Sequence, residues 1–170
     1  SHIDFAPFSI NAHANAVHNP NARLREPITQ SAYARARMIS DPINLLDASP
    51  IGDGAAALLI VPASQARSQP GLSRPTITIA GSTSATDTLA VHDRKNPLWL
   101  RAAEISAKKA YVQAGVSPAE ISVFELHDAF SIMAALSLEA CGFADPGTAP
   151  RLGLDGAITP TGRVPVSTCG

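Results

Sequence analysis

Ile121-Ser-Val-Phe-Glu-Leu-His-Asp-Ala-Phe-Ser-Ile-Met-Ala-Ala-Leu-Ser-Leu-Glu-Ala-Cys141 reads as an extended segment running straight into a helix, with His127 at the joint. Ile121–Leu126 predicts a strand. Ala129–Cys141 predicts a helix in which only Ser131, Ser137 and Glu139 are polar, closed by Gly142. A helix that apolar around its circumference must be covered on several sides. Upstream, Thr76–Ala80 alternates Thr and Ile in strand fashion. Asn96-Pro97 offers an N-cap and a proline at the first helical position. From there Trp99, Ala103, Ala107, Ala110 and Ala114 form one face of mostly small residues, and Gly115 stops the helix. Ser117-Pro-Ala-Glu120 has capping-box spacing but room only for a turn. The order strand, helix, strand, helix over 76–142 predicts an α/β fold built on a mainly parallel unit with right-handed crossovers.

Outside that unit the chain changes character. Residues 143–170 are rich in Gly and Pro and predict no helix. Residues 66–75 have linker chemistry, which divides the chain into 1–65, a linker, and 76–170. In the first part, a helix starting near Ile10 is broken by Asn19-Pro20. A second is expected from Thr29 or Ser31 to Met38, ending before Asp41-Pro42. The turn-rich stretch Ala48–Gly54 leads into Ala55–Val61, an apolar run of buried-strand length that Pro62 ends.

Composition excludes several function classes. The chain has 170 residues, 13 Lys and Arg against 14 Asp and Glu, and a net charge of −1. That balance lacks the basic surplus of a nucleic-acid groove. The apolar runs fall far short of the roughly 20 residues that span a bilayer, so no membrane partner is expected. Two cysteines, Cys141 and Cys169, make neither a disulfide framework nor a Cys-x-x-Cys pair, and a cytoplasmic setting is expected. With 5 Phe, 2 Tyr and 1 Trp, the core must rely on close packing of small side chains.

Few residues carry chemistry on sequence grounds. Gly52-Asp-Gly54-Ala-Ala-Ala57 fits the loose dinucleotide-turn pattern but lacks the preceding strand and the long helix after it. A tight turn is the better reading. His13 and His18 have no Cys, Asp or Glu at ligand spacing, so no metal site is expected. His127 stands at the carboxyl end of a strand, where parallel α/β proteins place their sites. An imidazole there can donate a hydrogen bond or exchange a proton near neutral pH. Cys141 reads as a core residue and Cys169 as an unactivated loop thiol.

Phe124-Glu-Leu-His-Asp-Ala-Phe130 resembles the strand-to-helix junction of the thiolase superfamily. It has the His-Asp-Ala-Phe form of sterol carrier protein thiolases and archaeal acetyl-CoA acetyltransferases. Leu46-Asp-Ala-Ser-Pro-Ile-Gly-Asp-Gly-Ala-Ala-Ala57 and the Asn-rich stretch Asn11–Ile28 are similar to upstream segments of that family, in the same order. The resemblance implies a partial thiolase fold: the end of the loop domain, the last part of the first half and the start of the second. It implies that His127 helps form the oxyanion hole for a thioester oxygen, where charge builds during reaction. It places Ala48 and Ser49 against the pantetheine arm of CoA, and Ala129 and Phe130 along that arm or the acyl pocket. CoA thioester is then a substrate, and no further cofactor is implied.

Neither Cys141 nor Cys169 matches a catalytic cysteine of the family, and acyl transfer needs that nucleophile. The expectation is a thiolase fragment, inactive alone and oligomeric when intact. The competing expectation is a non-catalytic acyl-CoA-binding or scaffolding relative, or a retro-aldolase subunit working with a small OB-fold partner.

Overall fold

The computed structural model describes residues 1–66 and 77–170. Its helices are α1 (Ala6–Ala16), α2 (Gln30–Arg35), α3 (Ala63–Ala66), α4 (Arg101–Ala114), α5 (Ser131–Ala140) and α6 (Ala149–Leu154). Two short strands, β1 (Met38–Ser40) and β2 (Ile43–Asn44), pair antiparallel with Met38 opposite Asn44 and Ser40 opposite Ile43.

The centre is α5. Ala134, Ala135 and Leu138 pack with Phe8 of α1, Phe143, Ala149 of α6, Ile158, Val164 and Val166. Contacts from α1, α4, α6 and the short 3-10 turn His2–Phe5 surround α5, as its apolar circumference requires. Leu138 is fully buried, and burying such a side chain contributes about 1.5–3 kcal/mol. Gly142, at φ 85°, takes the left-handed turn that ends the helical region.

On the opposite flank, α4 ends at Gly115 (φ 69°) as expected. It begins at Arg101 rather than at Asn96, because Asn96 closes a turn instead: Leu98 N donates to Asn96 Oδ1 at 3.0 Å. Tyr111 joins α4 to α5 by donating to the Cys141 carbonyl at 2.9 Å. An extended segment crosses the same helix, where Thr83 Oγ1 donates to the Ser106 carbonyl at 2.7 Å. The Ser117–Glu120 box forms around a single 3-10 turn.

Several local expectations are corrected. The run Ala55–Val61 is not a buried strand: it is extended and open, with Leu58 and Leu59 each 91% exposed. Apolar character makes a strand only where a neighbour supplies backbone partners, and no described segment lies alongside. Thr76 lies outside the described residues, as does the linker apart from Ala66, and 77–80 is extended without a ladder. Ile121–Leu126 keeps one parallel bridge, Phe124 to Val166. α1 starts before Ile10, helped by Pro7 in its first turn. α2 is capped by Thr29 but stops at Arg35, since 38–40 is drawn into pairing with 43–44. Residues 143–170 do contain a helix, α6. Its first N–H, on Ala149, donates to buried Glu139 Oε1 at 3.1 Å, a cap supplied from another helix.

Candidate functional site

Two chain segments 80 residues apart meet at the entry to α5. Ala48 bridges Phe130 in antiparallel fashion. Ser49 N donates to the Ala129 carbonyl at 3.1 Å, and Ser131 N donates to the Asp47 carbonyl at 2.9 Å. The Ser49 hydroxyl also points at the Ala129 carbonyl, 3.4 Å away. Ala48, Ser49, Ala129 and Phe130 are thus brought together, with Ser49 and Phe130 exposed and the two alanines half-buried. Ala48 and Ser49 line a cavity of about 670 Å³, together with Asp47, Asp128, Ser131 and Ser167. His127 stands just before this junction. It is exposed, does not line the cavity, and its ring has no hydrogen-bond partner among the described residues.

Beneath the bridge lies a polar knot around Asp47. Its carboxylate accepts from Tyr33 Oη, Ser131 Oγ, Asn44 N (2.8 Å) and His2 Nε2 (2.9 Å). The His2 ring stacks on Tyr33 with centroids 5.0 Å apart. Burial works to raise the Asp47 pKa, but the bonds from Ser131, Tyr33, Asn44 and His2 outweigh it and hold the carboxyl below its ordinary value. Burial, then the bond and charge of Asp47, push the Tyr33 hydroxyl far above the usual tyrosine value. The knot fixes the 47–49 segment onto the first turn of α5.

Asn11 and Asn15 on α1, and Asn19 just past its end, have a role that their composition did not reveal. Asn11 Nδ2 donates to the Val166 carbonyl (2.9 Å), Asn15 Nδ2 to those of Val166 (3.3 Å) and Ser167 (2.9 Å), and Asn19 Nδ2 to that of Cys169 (2.9 Å). The spacing of four puts Asn11 and Asn15 on one face of α1, and that was the available signal; Asn19 lies beyond the helix, which ends at Ala16. On its other side the strip is held by Phe124 N to the Pro165 carbonyl (2.9 Å), Ser167 Oγ to Asp128 Oδ2 (2.7 Å) and Thr168 N to Glu125 Oε1 (2.8 Å).

Other expected residues fall outside the site. Cys141 is half-buried at the end of α5, and burial pushes its thiol up to about 11, so it stays protonated. Cys169 is exposed. His13 makes a bond of 2.9 Å between Nδ1 and the Glu26 carbonyl. No group of three or more His, Cys, Asp or Glu among the described residues is placed to hold a metal ion. Nor is any described helix long and apolar enough to cross a membrane.

Comparison with known proteins places this arrangement. Residues 83–170 match the family described as thiolase C-terminal domain-like. The chain is 35% identical to an acetyl-CoA acetyltransferase of Methanothermobacter thermautotrophicus, over 97% of this chain and 42% of the relative. It is 30% identical to the 17-hydroxy-3-oxo-4-pregnene-20-carboxyl-CoA lyase of Mycobacterium tuberculosis, over 98% of this chain and 44% of that protein. Among solved structures it superposes on a chain of the Ltp2-ChsH2(DUF35) aldolase with a TM-score of 0.92 and 27% identity, covering 99% of this chain and 45% of the other. The chain therefore spans less than half the length of the relatives it matches. In sequence and in fold, it belongs to the thiolase superfamily.

Proposed function

We propose that the full-length protein carrying this chain is a thiolase-like acyltransferase of the acetyl-CoA acetyltransferase type, working in the cytoplasm as an oligomer. It makes or cleaves the carbon–carbon bond next to an acyl-CoA thioester. The observation that carries this reading is the Ala48–Phe130 bridge, which joins the cavity-lining Ala48 and Ser49 to Ala129 and Phe130, the residues that follow His127 and Asp128 in the chain. In this reading Ser49, Ala48, Ala129 and Phe130 seat the pantetheine arm and the acyl group. His127 donates a hydrogen bond to the thioester oxygen as charge gathers there in the enolate. The attacking thiolate comes from a part of the family's fold that this chain does not span, since neither Cys141 nor Cys169 matches it.

The test is CoA-dependent cleavage of acetoacetyl-CoA by the full-length protein. His127→Ala is expected to lower kcat by about 10²–10³ with KM nearly unchanged, the loss typical of one oxyanion donor. His127→Asn recovers part of it. Ser49→Ala is expected to raise KM for CoA substrates with little change in kcat. The isolated 170-residue chain is expected to be inactive. Normal turnover by folded His127→Ala would remove His127 from the site.

The likeness to an aldolase at TM-score 0.92 supports a second reading, a retro-aldolase subunit paired with a small OB-fold protein. Carbon–carbon cleavage that needs such a partner and no free CoA would favour it.

A further inference from the structure

Residues 125–128, which include His127, make no backbone–backbone hydrogen bond among the described residues. What holds this short loop is a pair of side chains flanking the histidine. Glu125 Oε1 takes both the N–H and the hydroxyl of Thr168. Asp128 Oδ2 takes the hydroxyl of Ser167 at 2.7 Å. Ser167 is itself unusual: it is buried, and its φ of 48° lies in the left-handed region that non-glycine residues avoid. A residue stays there only when its surroundings over-determine it, and such positions gather at functional sites. Here the surroundings are the amides of Asn11 and Asn15, which grip the carbonyls of Val166 and Ser167.

We propose that Ser167, turned into its left-handed conformation by Asn11 and Asn15 and bonded to Asp128, is a positioning residue for His127. This rests on the reading of His127 as the donor to the thioester oxygen. The Ser167 hydroxyl fixes Asp128, Asp128 and Glu125 fix the loop from both sides, and the backbone that carries the exposed His127 ring is held in place. A loop free to shift would carry the donor out of the alignment that makes it effective in the transition state.

The full-length protein with its histidine rings labelled with ¹³C tests this by NMR and kinetics together. Ser167→Ala is expected to move or broaden the ring signal of His127, assigned by its loss in His127→Asn, while the other histidine signals stay. It is expected to lower kcat by roughly 10- to 100-fold with KM for acetoacetyl-CoA changed far less. Ser167→Asn is expected to restore both, because asparagine tolerates the left-handed region and its amide can reach Asp128. If Ser167→Ala fails to fold, Asp128→Asn weakens the same bond and is read in the same way. An unmoved His127 signal with unchanged kcat, even at a lower Tm, overturns the proposal. If the protein lacks acetoacetyl-CoA cleavage, the functional reading fails, and the His127 signal alone still decides whether Ser167 positions the ring.

Discussion

Asp47 brings a negative charge to a place where the residue is only 3% exposed. That is tolerable because its carboxylate accepts from Ser131, Tyr33, Asn44 N and His2. Those bonds hold its folded pKa below the unfolded value. The stability it lends is therefore complete above the unfolded value, about pH 4, and is lost as pH falls through the lowered folded value. Urea midpoints of the full-length protein across acid pH are expected to drop in that window, and Asp47→Asn is expected to flatten the drop. Asp47→Ala leaves several buried donors unpaired at once, each worth about 1–3 kcal/mol, and is expected to destabilise more than Asp47→Asn. A midpoint equally steep with pH in Asp47→Asn would show that other carboxylates dominate the acid limb.

At the level of elements, the extended segment beside α4 gives a sharp test. Gly81 runs so close to that helix that an added Cβ would sit 2.8 Å from the Ala110 carbonyl oxygen. Gly81→Ala is expected to lift the segment and weaken the Thr83–Ser106 bonds, at about 1–3 kcal/mol, the usual cost of overpacking. Faster hydrogen exchange confined to 77–90 would register it, and exchange identical to wild type would refute the contact. The helices were the legible part of this sequence. Gly115, Gly142, Thr29 and the Ser117–Glu120 box act on their immediate neighbours, so their effects can be read locally. Strands were not legible in the same way. Ala55–Val61 has strand chemistry but no described partner, whereas Met38–Ser40 lacks that chemistry and pairs because Ile43–Asn44 folds back beside it. α6 was missed because its cap, Glu139, belongs to another helix. At the candidate site, the resemblance found the residues that the Ala48–Phe130 bridge gathers, while Asp47 and the asparagine face owe their roles to contacts made far along the chain.

Across the whole molecule, apolar surface is unevenly covered. Ile51, Leu58, Leu59, Ile77 and Leu89 are each more than 90% exposed, while the cluster around α5 is closed. Exposed apolar surface on this scale drives association, so the 170-residue chain made alone is expected to self-associate in analytical ultracentrifugation. A strict monomer with a sharp cooperative melt would contradict this. The asparagine face of α1 works on a different logic from such side-chain burial. Its amides, with that of Asn19 just past the helix, address main-chain oxygens of Val166, Ser167 and Cys169, not the side chains attached there. That docking is thus indifferent to what Cys169 displays outward, whereas Thr168 is bound through its hydroxyl to Glu125. The side chain at 169 is free to diverge while the scaffold that presents it keeps its shape.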